Sequence, residues 1–332
     1  MSSTARKLLL VVFLVCLVFA GVAGYGDFQE VWRRMSQFPP LYLLWAFGLA
    51  LINYLLRFLR WAFYLKILRI NLSFPASLLV FLGGLAMTIT PGKVGELVKC
   101  YLLRDRASVP VAASVPVVLM ERVTDLVSVG LMGLLGLFLL PPLLSTSLLL
   151  ALAVVAAALY VLSTRHTDRA LGLPLVRRWQ AEIREARQGI RALSRPGPMT
   201  AALILGLVSW ISEGVALWVV LKGLGTDMSV LLSLPVYAGS VLIGAATTLP
   251  GGLLGTEGAM VAILQQIGAE RDVAAAGTLI VRVATLWFAV VVGLGALGIL
   301  HWILPVRDVN GPVRGDSEDR TAGSVGEGVS DG

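Results

Sequence analysis

Thr90-Pro91-Gly92-Lys93-Val94-Gly95-Glu96 and Leu249-Pro250-Gly251-Gly252-Leu253-Leu254-Gly255-Thr256-Glu257 are two versions of one pattern: Pro-Gly, a further Gly, then Glu. Each interrupts an apolar stretch near its middle, 76–104 in the first case and 231–268 in the second. Proline removes a backbone donor and glycine permits turns that end a helix. Lipid cannot satisfy the freed groups, so such breaks have to face protein or a watery cavity. The surroundings repeat as well. Arg122 stands 31 residues after Pro91 and Arg282 stands 32 after Pro250, each within an apolar run; upstream, Asn53 precedes Pro91 by 38 residues and Glu213 precedes Pro250 by 37. The chain reads as a duplication, with units of about 41–140 and 199–304.

The 332 residues are 57% hydrophobic and only 14% charged, against about 25% charged in an ordinary soluble domain; mean hydropathy is +0.84. Apolar stretches and short loops fill residues 8–305, which excludes a soluble enzyme domain. The runs 8–24, 41–65, 109–140, 147–163, 199–221 and 272–304 are long enough to cross a hydrocarbon core about 30 Å thick. The arms of the two broken stretches are mostly too short. The predicted fold is all-α: a polytopic membrane helix bundle with two inverted repeats, each containing a re-entrant broken helical hairpin, spanning 1–305. Residues 306–332 have almost no large apolar side chains and are expected to form a disordered cytoplasmic tail. The run 8–24, preceded by Arg6 and Lys7, also fits a signal peptide; the charge bias downstream favours an uncleaved first span.

With the N-terminus placed in the cytoplasm, Arg33, Arg34, Lys222 and Arg271 fall outside, Arg122 and Arg282 fall within spans, and 21 of the 27 Lys and Arg fall inside. The positive-inside rule then gives a multi-pass protein of the cell (inner) membrane with both termini cytoplasmic. On this topology the first hairpin follows a span ending inside and the second a span ending outside, so the units are inverted. Secondary transporters recurrently use that design. Residues 164–196 form the largest inner loop. Val176, Trp179, Ile183, Ala186, Ile190 and Leu193 make an apolar helical stripe beside eight arginines, which predicts an amphipathic helix on the inner leaflet. A topology determinant without a specific ligand is the simpler role for it.

Glu121, Arg122 and Asp125 sit inside an apolar run, where a central charge costs on the order of 3 kcal/mol. They require partners or water, and Arg122 and Asp125, three apart, can pair. Arg282 has no acidic neighbour on its own helix, so its partner is Glu257, Glu96, Glu213 or a bound phosphate, which a guanidinium grips in bidentate fashion. A helix starting after the first break directs its positive end at the cavity, with Lys93 and Lys99 adding full charges. The candidate translocation residues are therefore Pro91, Gly92, Lys93, Gly95, Glu96, Lys99, Glu121, Arg122, Asp125, Glu213, Pro250, Gly251, Gly252, Gly255, Glu257 and Arg282. Asn53, Arg57, Arg60 and Tyr64 form a polar stripe whose arginines are expected to snorkel, although the stripe would also line the path of an anionic headgroup entering from the inner leaflet. Trp61 and Trp210, like the other tryptophans, read as interfacial anchors or packing. Cys16, Cys100, His166 and His301 lack ligand spacing, and no phosphate loop or dinucleotide fingerprint occurs. No metal, cofactor or nucleic-acid partner is expected.

At these motifs the chain resembles the lysylphosphatidylglycerol synthase transmembrane family: the first break, Glu121-Arg122-x-x-Asp125 and the second break carry the resemblance, which covers roughly 8–305. That family, also described as flippase-like, is similar to the membrane half of the bacterial multiple peptide resistance factor, which moves aminoacylated phosphatidylglycerol between leaflets. It also includes the membrane part of certain archaeal dolichol-phosphate glycosyltransferases. The resemblance implies translocation of an anionic or polyprenyl-phosphate lipid, with Glu96, Arg122, Asp125, Glu257 and Arg282 lining the cavity. The soluble aminoacyl-transferase domain of the fused members is absent here, so the chain is expected not to synthesise lysyl-phosphatidylglycerol. The partners expected are a membrane lipid with an anionic headgroup and a lipid-modifying enzyme. Two other readings compete with a transporter: a membrane transferase acting on a lipid phosphate with Glu96 or Asp125 as base, and a non-catalytic subunit docking through the basic inner helix.

Overall fold

A computed structural model describes residues 27–90, 95–135, 180–247 and 249–303, with single positions at 21, 24, 146, 153 and 157. The predicted spans 8–24 and 147–163 and the tail fall outside the described residues. So do Pro91, Gly92 and Lys93, and Val176 and Trp179 of the amphipathic stripe.

The described residues form an all-α assembly. A short surface helix, α1 (Phe28–Ser36), is capped by Asp27, whose side chain accepts from the Gln29 amide. The first unit follows as α2 (Pro40–Ile67), α3 (Phe74–Leu85), α4 (Val98–Ala107) and α5 (Val111–Leu134). After α6 (Gln180–Leu193), the second unit runs as α7 (Pro196–Gly223), α8 (Val230–Ala246), α9 (Gly255–Gln266) and α10 (Arg271–Arg282). A π turn (Val283–Trp287) carries α10 into α11 (Phe288–Ile303). Prolines begin α2 and α7 where a missing donor costs nothing.

Three described helices are long and apolar enough to cross a membrane: α2, α7 and the continuous Arg271–Trp302. Helix α5 has 24 residues but carries Glu121, Arg122 and Asp125 mid-length. Helices α3 and α9 have 12 residues and α4 has 10, so at 1.5 Å per residue they reach only about 15–18 Å, well short of a crossing.

The units interlock. Helices α2 and α7 share the most extensive contact; α11 of the second unit lies along α3 of the first, and α5 of the first lies along α8 of the second. Each unit's apolar core is completed by the other's last span. Val129 and Met132 of α5 join the cluster built on α7 to α10, while Ala289 and Leu300 of α11 join the cluster built on α2 to α5. Outward-facing Leu44, Leu51, Ile52 and Leu55 of α2 are exposed, the inverse of a soluble helix. In α6, Ile190 and Leu193 are buried, and the helix packs on α5. The C-terminal part of its apolar stripe is thus taken up by protein.

At Gly293 an added Cβ would meet the backbone of Ala86, with Ala86 Cα at 2.8 Å and Leu82 O at 2.9 Å. That close approach lets α11 lie on α3. Gly293→Ala is expected to destabilise the protein by about 1–3 kcal/mol, the usual cost of overpacking, whereas Gly298→Ala, which has open space, is expected to be neutral. Thermal unfolding of both variants in detergent checks the difference.

Candidate functional site

Helix α5 turns Glu121, Thr124, Asp125 and Ser128 to the interior, all buried, with Arg122 beside them. From α2, one and two turns apart from Asn53, come Arg57 and Arg60, both buried. Arg60 Nη2 donates to Asp125 Oδ1 at 2.6 Å and Nη1 to Thr124 Oγ1 at 3.1 Å. Gly206 of α7 leaves the room this needs, since a Cβ there would stand 2.8 Å from Arg60 Nη1. Asp125 is the meeting point: Arg57 Nη2 is 3.6 Å and Arg122 Nη2 is 3.0 Å from Oδ2, and Trp210 Nε1 donates to Oδ1 at 3.3 Å. The expectation that Arg57 and Arg60 snorkel is corrected by this geometry, because a buried carboxylate one helix away offers them a better partner than distant water. Trp210 follows the packing alternative, buried in the core with its indole N–H on Asp125.

The ion pairs continue through the first break. Arg122 Nη2 is 3.0 Å from Glu96 Oε2; Lys99 Nζ is 3.4 Å from the same oxygen and 2.5 Å from Glu121 Oε2. Lys99 also lies over the Trp61 and Phe81 rings, 4.9 and 5.6 Å from their centroids. On the far side of the break, Thr90 Oγ1 accepts from the Gly95 amide at 2.8 Å.

The second break is built with less charge. Gly251 (φ 63°), Gly252 (φ 67°) and Leu254 (φ 67°) all take left-handed backbone, which is strained for leucine. A short 3-10 turn at Pro250–Gly252 precedes α9. Arg282 holds both sides of it: Nε donates to Glu257 Oε1 at 2.6 Å and Nη2 to the Gly251 carbonyl at 2.9 Å. Glu257 is thus the tertiary partner that Arg282 requires. Glu213 on α7 accepts the Tyr237 hydroxyl at 2.6 Å. Just beyond Arg282, the π turn presents the Thr285 carbonyl to the Tyr54 hydroxyl at 2.8 Å.

A cavity of about 370 Å³ lies between these groups. Arg57, Arg122, Asp125, Glu213 and Arg282 reach it, with Tyr54, Trp210, Tyr237, Gly251 and Gly252; Leu126, Val129, Val241, Leu242, Leu286 and Ala289 supply apolar wall. Glu96 and Glu257 stand one layer behind, holding Arg122 and Arg282, and Lys99 joins Glu96 to Glu121. Gly95, Pro250 and Gly255 shape the breaks, and Gly255 leaves room for Thr247, whose Cγ2 a Cβ would meet at 2.6 Å. Tyr54, Trp210 and Tyr237 had no sequence signal beyond aromatic character. Among the described residues no cluster of His, Cys, Asp and Glu could hold a metal ion.

Residues 7–293 match the family described as the lysylphosphatidylglycerol synthase TM region, a stretch that runs through both breaks and through Arg122 and Arg282. The chain belongs to this family. It is also similar to two UPF0104 membrane proteins of Methanothermobacter thermautotrophicus. One is 23% identical over 305 residues, covering 83% of this chain and 89% of the relative; the other is 24% identical over 322 residues, covering 87% and 92%. A UPF0104 membrane protein of Pyrococcus horikoshii is 22% identical over 321 residues, covering 87% and 95%. Membership of a transmembrane-region family accords with the apolar helices and places the buried charges in a membrane protein.

Removing one partner of a buried ion pair strands the others, at a typical cost of about 3–5 kcal/mol. Asp125→Ala, which strands Arg57 and Arg60, is expected to lower stability by that amount. Arg33→Ala, which breaks an exposed pair with Glu30, is expected to cost under about 1 kcal/mol. Denaturation in mixed micelles separates the two.

Proposed function

We propose that this chain is a flippase-like membrane protein that carries an anionic or polyprenyl-phosphate-linked lipid between leaflets, its headgroup passing through the central cavity while its tails stay in lipid. The observation that carries this reading is the convergence of Arg57, Arg122 and Arg282, drawn from both units, on a cavity whose other walls are largely apolar. Arg57 Nε and Arg122 Nε are buried donors without a hydrogen-bond acceptor among the described residues. Unmet guanidinium donors in a low-dielectric cavity suit a phosphate oxygen, which accepts charge-assisted bonds in the planar geometry these groups offer.

The interlocked contacts support an inverted-repeat arrangement with re-entrant hairpins. Exchanging the two units in the contact pattern maps α3 against α11 onto α8 against α5, and α2 against α7 onto itself. The short arms of α3, α4 and α9 favour helices that enter and return. Breaks of that kind let one unit close as the other opens, which alternates access to a single site. The setting proposed is the cell (inner) membrane with both termini cytoplasmic, a lipid of anionic headgroup as substrate, and no cofactor.

Purified full-length protein in phosphatidylcholine vesicles carrying fluorescently labelled phosphatidylglycerol provides the test, with dithionite bleaching of the outer leaflet as readout. Wild-type protein is expected to expose the inner-leaflet label, and Arg122→Ala or Arg282→Ala to slow that exposure at least about tenfold, a loss of about 1.4 kcal/mol or more in transfer barrier. Equal transfer by both variants, or preference for labelled phosphatidylcholine, would sink the reading.

A further inference from the structure

The wall of the cavity changes character from one side to the other. Tyr54, Arg57, Asp125, Tyr237 and Arg282 are buried, Arg122, Leu126 and Leu242 are half-buried, and Ala245 and Leu249 are exposed. The exposed pair belongs to the second break: Ala245 stands in the last turn of α8, and Leu249 just before the 3-10 turn. The mouth of the cavity therefore lies where α8 ends, on the side of the helix pair α5 and α8, which pack together.

The chemistry around the mouth says what it opens onto. Ala246, Thr247 and Leu254 are exposed on the same tip, and the sequence has no charged residue between Asp227 and Glu257. Thr247 donates its hydroxyl to the Gly244 carbonyl at 2.7 Å, so the polar side chain of this group is satisfied within its own helix. The end of α4, by contrast, carries Arg104, Asp105 and Arg106. Depth agrees with composition. Ala245 lies about 22 Å along α8 and Arg122 about 17 Å along α5 from the start of each helix, well within a hydrocarbon core about 30 Å thick. An uncharged tip whose hydroxyl is already bonded is suited to lipid, where an unmet polar group is costly.

We propose that this mouth opens sideways into the hydrocarbon, and that the chains of the carried lipid leave the cavity through it, over Ala245 and Leu249, while Arg122 and Arg282 hold the phosphate inside. The order of groups from interior to edge, guanidinium and then aliphatic side chain, follows the order of groups in an anionic amphiphile. Chains that leave here keep apolar neighbours throughout and never pass the buried charges. The cavity then reads the headgroup, and the length of the chains goes unread. This rests on the lipid-carrying reading given above.

The test uses full-length protein in the phosphatidylglycerol vesicles described above. Ala245→Trp and Leu249→Trp fill the mouth, and Leu231→Trp, at an exposed site near the start of α8, is the control. Each filling variant is expected to slow transfer at least about tenfold, and the control to match wild type. Independently of transfer, a nitroxide at position 245 or 249, in protein carrying Cys16→Ser and Cys100→Ser, is expected to be relaxed more by oxygen than by a water-soluble nickel chelate. Nitroxides that the chelate reaches more readily than oxygen overturn the lateral mouth, as do filling variants that transfer like wild type, and either result leaves the headgroup reading standing. Slowing by the control as much as by the filling variants also overturns it. Absence of transfer by wild type overturns both.

Discussion

Asp125 holds the interior together because three guanidinium groups and an indole N–H converge on one buried carboxylate. A chain of opposite charges runs from it: Arg122, Glu96, Lys99, Glu121. These groups come from α2, α4, α5 and the turn after the first break, so the pairs form only when all of those elements are in place. A lone charge in hydrocarbon is costly, and the first unit therefore assembles as a whole. The apolar faces of its helices do not specify this arrangement, since lipid is as good a neighbour for leucine as another helix is. The polar interior is what selects one partner for each face.

The two breaks solve the same problem by different means. In the first, charge does the stabilising, with Glu96 bound to Arg122 and Lys99 just after the interruption. In the second, backbone and side chain are joined by one arginine: Arg282 takes the Gly251 carbonyl, freed by left-handed backbone, and the Glu257 carboxylate together. Arg282, from the last span of its own unit, thus satisfies polar groups of the second break, and Arg122, from the last span of the first unit, reaches Glu96 just after the first. The units meanwhile complete each other's apolar cores. That division separates what holds the second break from what fixes the bundle.

Much of this was legible because periodicity and cost are readable in a chain. Pro91 and Pro250, with glutamates five and seven residues later and arginines 31 and 32 later, mark the breaks and their clasps; the long apolar runs mark α2, α7 and α10 with α11. Which acid Arg282 takes was open between three, because three glutamates are within reach of a chain reversal and only packing decides. Arg57 and Arg60 were misread as snorkelling. On an apolar helix a basic pair near one end looks the same whether it points to headgroups or to a carboxylate on α5, and the difference lies in tertiary contact. Tyr54 and Tyr237 escaped notice, and Trp210 was read only as an anchor or packing, for a related reason: their rings satisfy apolar packing and their polar tips reach hydrogen-bond partners at the cavity, so composition shows only the ring. The stripe on α6 was read correctly as apolar, and protein receives its C-terminal part.

A densely ion-paired cavity is poorly suited to serve as a rigid strut, because the cost of desolvating buried charges offsets most of what their attraction returns. It is well suited to exchange. An arginine already stripped of water and aimed by a carboxylate behind it pays little further reorganisation when an anionic oxygen arrives, since the desolvation cost was met during folding. Glu96 and Glu257, standing behind Arg122 and Arg282 rather than in the cavity, hold those guanidinium groups in place while leaving other nitrogens to a ligand. Glu213 and Asp125 stand on the cavity wall itself, where a change in charge is felt by every arginine around it. Glu257 holds Arg282 from behind alone, whereas Arg122 is held at 3.0 Å both by Glu96 behind it and by Asp125 on the wall, so the proposed headgroup site would have its arginines oriented before any anion enters.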